Sequence, residues 1–451
     1  GFLWVLADEG VKRVDMDGFI DNQGNFGADG IVGPHHEKEG SYYTIKQLWS
    51  PVQVMNTAID RNFDGKLSVE NRYDYLNLNT CRFIWQQVKF PSVTDASNTT
   101  TRILKQGEVQ GSDVAAHGVG VVDIKTSILP EADALFLTVI DKYGYELWRW
   151  TFPVDKLNRE TEQFSASSGR ASYTETEKGI TVKANGRTFV FSKKDGQLKD
   201  VSVNNRKISF ANGPRFIGAR RADRSLDQFY NHDDEKAKAK DRTYSEFTDA
   251  AVFTKLDVKE EGGNLILTAN YKLGNLDKAQ WTIHPDGMAT LDYTYNFSGV
   301  VDLMGICFDY PEEQVLSKRW LGAGPYRVWQ NRIHGAQYDI WENDYNDPIP
   351  GETFTYPEFK GYFGSVSWMS IRTKEGTISL TNETPDSYIG VYQPRDGRDR
   401  LLYTLPESGI SVLNVIPPVR NKVNSTDLCG PSSQPKWVDG PQTGRLVLRF
   451  E

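Results

Sequence analysis

Between Pro51 and about Phe164, apolar and polar positions alternate in short runs, LSVENRYDYL, RFIWQQV, ALFLTVID and YELWRWTFPV, with polar turns between them. A period of two sends successive side chains to opposite faces, so each run predicts a half-buried strand. Four such runs at this spacing predict a β-sandwich of roughly 110 residues. Before Pro51 the pattern differs. Gly1 to Leu6 is an apolar, strand-like run, Gly18 to Gly33 is a loop rich in Gly, Asn and Asp, and SYYTIKQLW spaces Tyr42, Ile45 and Leu48 or Trp49 helically. The order expected there is strand, long loop, helix.

SASSGRAS, Ser165 to Ser172, is a small-residue linker. Beyond it, Asn185-Gly186, Asp195-Gly196, Gly262-Gly263 and Asp286-Gly287 each sit between strand-like runs. Such dipeptides supply the positive φ that tight hairpins demand, so the remainder predicts one large antiparallel domain. The domain plan is 1–50, 51–164 and 165–451, which suits a chain of 451 residues at the usual domain size.

Composition narrows the function classes. The net charge is −8 with both signs interspersed and no basic block, which excludes nucleic acid as the expected partner. Aromatic residues make up 12% of the chain, including 11 Trp and 21 Tyr, more than an ordinary core requires. Flat aromatic faces suit the apolar face of a pyranose ring. Cys81, Cys307 and Cys429 lie far apart without C-x-x-C spacing, so neither zinc nor a disulfide framework is indicated and isolated buried thiols are expected. No apolar run approaches a membrane span and no signal peptide is read. The chain starts inside an apolar run without an initiator Met, so it reads as a piece of a longer protein and its compartment stays open.

One stretch imitates a metal loop. In IDRNFDGKLSVENRYDY, Asp60, Asn62, Asp64 and Gly65 occupy the first, third, fifth and sixth places of an EF-hand. The twelfth place, which must supply a bidentate Glu, is Asn71, and the flanks are strand-like. Asp64-Gly65 therefore reads as a turn entering a strand. Adjacent His35 and His36 rarely converge on one ion and read as a solvated loop.

The segments GFLWVLADEG, FGADGIVGP, IKQLWSPVQV, LSVENRYDYLNL and RWLGAGPYRVWQNR, in that order, resemble the C-terminal portion of a glycoside hydrolase family 2 enzyme of the β-galactosidase type. The first is similar to the last strand of that family's TIM barrel, commonly G-G-F-x-W-x-W-x-D-[EQ]. The second is similar to its F-x-x-[ND]-G-[IL]-V segment and the third to its last helix and exit. The fourth resembles the opening strands of its immunoglobulin-like domain. The last resembles the W-x-G-x-G-P-x-E-x-x-x-D-R signature of its terminal supersandwich. Departures leave the sugar open. Leu6 replaces the second Trp of the strand motif, YPEFKGYFGSVSW replaces P-x-E-x-G-x-R, and TDLCGP puts Cys429 where D-x-W-x-P carries an aromatic.

The resemblance implies a mainly β chain: the remnant of the last β/α unit of a TIM barrel, an immunoglobulin-like β-sandwich, then a galactose-mutarotase-like β-supersandwich. It implies retaining hydrolysis of β-glycosides derived from oligo- or polysaccharides, with both catalytic glutamates upstream of Gly1 and none in this chain. Trp4 is implied as a sugar-stacking platform, the plainer alternative being a barrel-core Trp. Phe26 and Asp29 are implied to give a backbone carbonyl and a side-chain oxygen to a monovalent cation beside the sugar, with Asp29 also at the substrate; a Gly-flanked turn is their plainer reading. No cofactor is required, although a Na or Mg ion belongs to the whole enzyme on this reading. Homo-oligomerisation and a periplasmic or secreted bacterial setting accompany it.

Of Asp8 and Glu9, neighbours on a strand, at most one can point inward. Asn382-Glu383 imitates the Asn-Glu pair of the acid/base position but falls deep in the terminal β-domain. Asn231-His232 is similar to a pair in aldose mutarotases, without a placeable Glu base. Arg332 reads as a buried salt-bridge residue. Two other readings stay open: a carbohydrate-binding β-module, and an autonomous lyase or epimerase in the supersandwich cleft.

Overall fold

The computed structural model describes residues 3–22, 30–95, 100–154, 169–221, 244–247, 251–344, 361–384, 386–391, 405–406, 408–418 and 429–451. They form two units. The first comprises Gly1–Asn158 with Leu321–Tyr326 and Ile333–Trp341; the second comprises Arg159–Trp320, Arg327–Arg332 and Glu342–Glu451.

The centre of the first unit is an antiparallel sandwich. A three-stranded sheet runs Val52–Val54, Lys66–Asn71, Val119–Asp123, and a four-stranded sheet runs Arg102–Gln110, Arg82–Lys89, Ala134–Ile140, Glu146–Pro153. Alternation decides the faces: Leu67, Val69 and Asn71 are buried while Lys66, Ser68 and Glu70 turn outward. Val52, Leu67, Val69, Phe83, Leu135, Leu137 and Val139 join one core, each large side chain contributing about 1.5–3 kcal/mol by leaving water. A polar residue survives inside this core because its amide is spent. Gln87 donates to Thr126 Oγ1 at 3.1 Å and Ser127 O at 2.8 Å, and accepts from Leu129 N at 2.7 Å.

The EF-hand look-alike is a turn. Gly65 has φ 88°, Asp60 caps Asn62 N at 2.8 Å, and Asp64 caps Lys66 N at 3.0 Å. Asn71 faces the core, its Nδ2 donating to Leu76 O at 2.8 Å and Val114 O at 2.9 Å.

Residues ahead of the sandwich depart from the expected order. Leu3 to Leu6 build no strand; the one ladder contact there is an isolated parallel bridge from Ala7 to Val32. Strand-like composition yields a strand only where neighbours offer a backbone to pair with. A hairpin, Gly10–Arg13 on Phe19–Asn22, instead forms partly inside the stretch read as loop. The helix falls at Gly40–Leu48 as its spacing predicts, yet it has no fully buried residue. It is held by chain from far away. Thr44 Oγ1 donates to His334 O at 2.8 Å, Gly335 N donates to Gln47 Oε1 at 2.6 Å, and the Tyr43 and Tyr326 rings lie 5.2 Å apart.

In the second unit the hairpin signals act as read. Asn185 and Gly186 (φ 43° and 75°) join Gly179–Ala184 to Arg187–Ser192, and Gly262-Gly263 joins Val252–Glu261 to Asn264–Lys272. An unread turn, Asn204-Asn205 (φ 49° and 68°), joins Leu198–Val203 to Arg206–Ile208, Asn tolerating the left-handed region that Gly usually fills. The strands assemble into an eleven-stranded and a nine-stranded sheet. Aromatic rings pack between them. Phe210 stacks on Phe308 at 4.5 Å and meets Phe450 at 5.3 Å, while Trp281 meets Phe191 at 5.8 Å and Phe308 at 6.1 Å. Cys81 and Cys307 are buried free thiols as expected, whereas Cys429 is only partly buried, because it sits in a short irregular stretch before Pro431–Ser433.

Candidate functional site

The strand-like run that carries Trp4 is anchored by a short returning segment. Leu6 O accepts from both Ile31 N at 3.1 Å and Val32 N at 3.0 Å, and Asp8 N donates to Val32 O at 2.9 Å. Asp8 Oδ1 accepts from Gly30 N at 2.6 Å, the short distance of a charge-assisted bond. Gly30 fits because it lacks a side chain: a Cβ there would lie 2.4 Å from Asp8 N. On the far side, Glu39 N donates to Ile31 O at 3.3 Å, and the turn between is closed by His36 N donating to Gly33 O at 2.9 Å.

Burial sorts the sequence candidates. Asp8 is 8% exposed and Glu9 is exposed, so one of the pair points inward, as alternation requires. Trp4 is 83% exposed in this unit. Its indole is a free flat face of the kind that stacks on a sugar ring. Beside this segment, Tyr326 donates to Lys38 O at 2.8 Å, and burial, with Tyr43 and the Glu39 carboxyl nearby, pushes its phenol well above the ordinary range.

Other candidates are spent locally. Asn382 Oδ1 caps Thr384 N at 3.1 Å, and its Nδ2 donates to Val366 O at 3.2 Å and Ser387 Oγ at 2.9 Å, so the amide of the Asn-Glu look-alike is consumed by a turn. His35 and His36 are exposed, and His36 takes φ 63° in its turn. Arg332 is half-buried, its backbone closing a turn with Trp329 at 2.9 Å. Among the described residues, no group of three His, Cys, Asp or Glu could hold a metal ion. Phe26, Asp29, Asn231 and His232 lie outside the described residues. The Asp8–Gly30 bond was not legible in sequence; the one signal was a Gly following Asp29 where backbone could approach closely.

No helix among the described residues is long and apolar enough to cross a membrane. Residues 183–413, just over half of the chain, match the family described as Beta galactosidase small chain. A beta-galactosidase of Priestia megaterium is 21% identical over 420 residues, covering 85% of this chain. The chain spans 38% of that protein's length. Among solved structures, a galactose 1-epimerase from Lactobacillus acidophilus aligns at TM-score 0.36 and 8% identity, covering 63% of this chain and 99% of its own.

Proposed function

The chain belongs to the β-galactosidase small-chain family, and from that premise we propose that it is the C-terminal region of a retaining exo-β-glycosidase of glycoside hydrolase family 2. Retention needs two carboxyls about 5 Å apart, one attacking the anomeric carbon and one protonating the leaving oxygen. On this reading both belong to a part of the enzyme ahead of Gly1. This chain acts as scaffold and pocket wall, and Trp4 stacks on the sugar. The observation that carries the reading is a relationship running along 85% of the chain to a protein named a beta-galactosidase.

The test is an assay of the full reading frame that encodes this chain on a panel of nitrophenyl glycosides, beside the 451-residue chain alone. Hydrolysis of a β-glycoside by the former, with none by the latter, is the expected result. Turnover by the chain alone, abolished in Glu383→Gln, overturns the assignment.

A second reading, a carbohydrate-binding module, is favoured by three exposed rings on the first unit, Tyr75 at 94% and Tyr143 and Tyr145 at 71% each. Retention of the isolated chain on an oligosaccharide matrix, lost on replacing these tyrosines by Ala, distinguishes it.

A further inference from the structure

We propose that Asp8 is a positioning residue for the sugar-stacking site: it fixes the backbone that carries Trp4 to the Gly30–Val32 segment. The inference rests on the glycosidase reading above and adds to it a residue that touches no substrate.

A carboxylate buried as deeply as that of Asp8 is unfavourable unless bonded, and its oxygen takes the Gly30 amide at 2.6 Å. The same residue grips the segment again through its backbone, Asp8 N donating to Val32 O at 2.9 Å. Gly30 lies so close that a Cβ would come within 2.6 Å of Val32 O and of the Ala7 carbonyl carbon. Leu6 O, two residues beyond Trp4, accepts from Ile31 N and Val32 N, so together with the two Asp8 bonds these hold the backbone next to the indole to one returning segment. A platform that must meet a sugar ring depends on such support, because a displacement of about 1 Å costs on the order of a hundredfold in rate.

The test uses the polypeptide from the full reading frame and its best nitrophenyl β-glycoside. Asp8→Ala, Trp4→Ala and the double variant are compared by kcat, KM and melting temperature, with Asp8→Asn as the conservative control. Asp8→Ala is expected to lower kcat/KM on the order of tenfold, mostly through KM. Asp8→Asn keeps an acceptor oxygen and is expected to stay within about threefold of wild type. The double variant is expected to lose no more than Trp4→Ala, since Asp8 acts through Trp4. Should Asp8→Ala not fold, Gly30→Ala displaces the same segment and takes its place in the cycle. Losses that add, or normal kinetics in Asp8→Ala, overturn the inference while an active wild type leaves the glycosidase reading standing. A wild type that hydrolyses no β-glycoside overturns both.

Discussion

Arg149 donates through Nη2 to Asp339 Oδ2 at 2.9 Å, although 190 residues of chain separate them. Both side chains are largely withdrawn from water, at 22% and 15% exposure, and the guanidinium carbon sits 4.5 Å over the Phe136 ring. Asp339 Oδ1 is occupied as well, by Thr101 Oγ1 at 2.7 Å and Ile340 N at 2.8 Å. Removing one partner of a fully buried pair costs roughly 3–5 kcal/mol, and the remaining exposure here lets water recover part of that. Asp339→Ala is expected to lose about 2 kcal/mol in urea unfolding. A loss below about 0.5 kcal/mol would place the pair with ordinary surface ion pairs.

Trp4→Ala separates site from scaffold. In the 451-residue chain the indole, at 83% exposure, leaves no cavity when removed, so the stability of that chain is expected to change by less than about 0.5 kcal/mol. Loss of a stacking contact in the whole enzyme is expected to take about 1–3 kcal/mol from transition-state binding, read in kcat/KM. Normal kinetics with a collapsed melting temperature is the outcome that removes Trp4 from the site.

Asn71→Asp is expected to be severe. The buried Nδ2 donates to two carbonyl oxygens, of Leu76 and Val114, and a carboxylate there would face both acceptors without a proton. A cost of about 3 kcal/mol or more at neutral pH, shrinking as acid protonates the new carboxyl, is expected from equilibrium unfolding. Millimolar calcium is expected to leave the wild-type melting temperature unchanged, since ligand binding to the folded state alone would raise it. A rise abolished by Asp60→Ala with Asp64→Ala would restore the metal reading.

His284 supplies a pH test. Burial lowers its pKa from 6.5, with Asp286 opposing and Arg445 adding to the shift, while the ring meets Thr290 Oγ1 at 2.8 Å and Asn264 Oδ1 at 3.2 Å. Because the folded value lies below the unfolded one, the unfolded chain takes up the proton first as pH falls. Stability is intact above the unfolded pKa and declines below it, until the folded ring titrates too. The slope from this group cannot exceed one proton, about 1.4 kcal/mol per pH unit. Comparing wild type with His284→Gln between pH 7.5 and pH 5 should show the steeper acid loss in wild type; parallel curves would remove His284 as the cause.

Local physics was legible wherever partners are close in sequence. Gly262-Gly263 and Asn185-Gly186 announce their hairpins because two residues decide the turn, and the spacing of Tyr42, Ile45 and Leu48 locates the helix. Asn204-Asn205 escaped because Asn reaches positive φ less often than Gly. The assignment of 321–326 and 333–341 to the first unit could not be read at all. Nothing in Asp339 or Tyr326 marks a partner hundreds of positions earlier. At the candidate site, the role of Trp4 is implied by resemblance alone, and the Asp8–Gly30 bond came from coordinates, since a carboxylate's acceptor role leaves no periodic trace.

The helix Gly40–Leu48 buries none of its own residues and takes its anchors from Tyr326, His334 and Gly335, the Thr44 contact spanning 290 positions. During synthesis those anchors do not yet exist when the helix leaves the ribosome. At roughly 5–20 residues per second, translation needs about 15–60 s to deliver them. A nine-residue helix is marginal in water by itself. The helix therefore lacks its anchors until residues 326–335 have been made, and Trp49 at its end stays in water throughout.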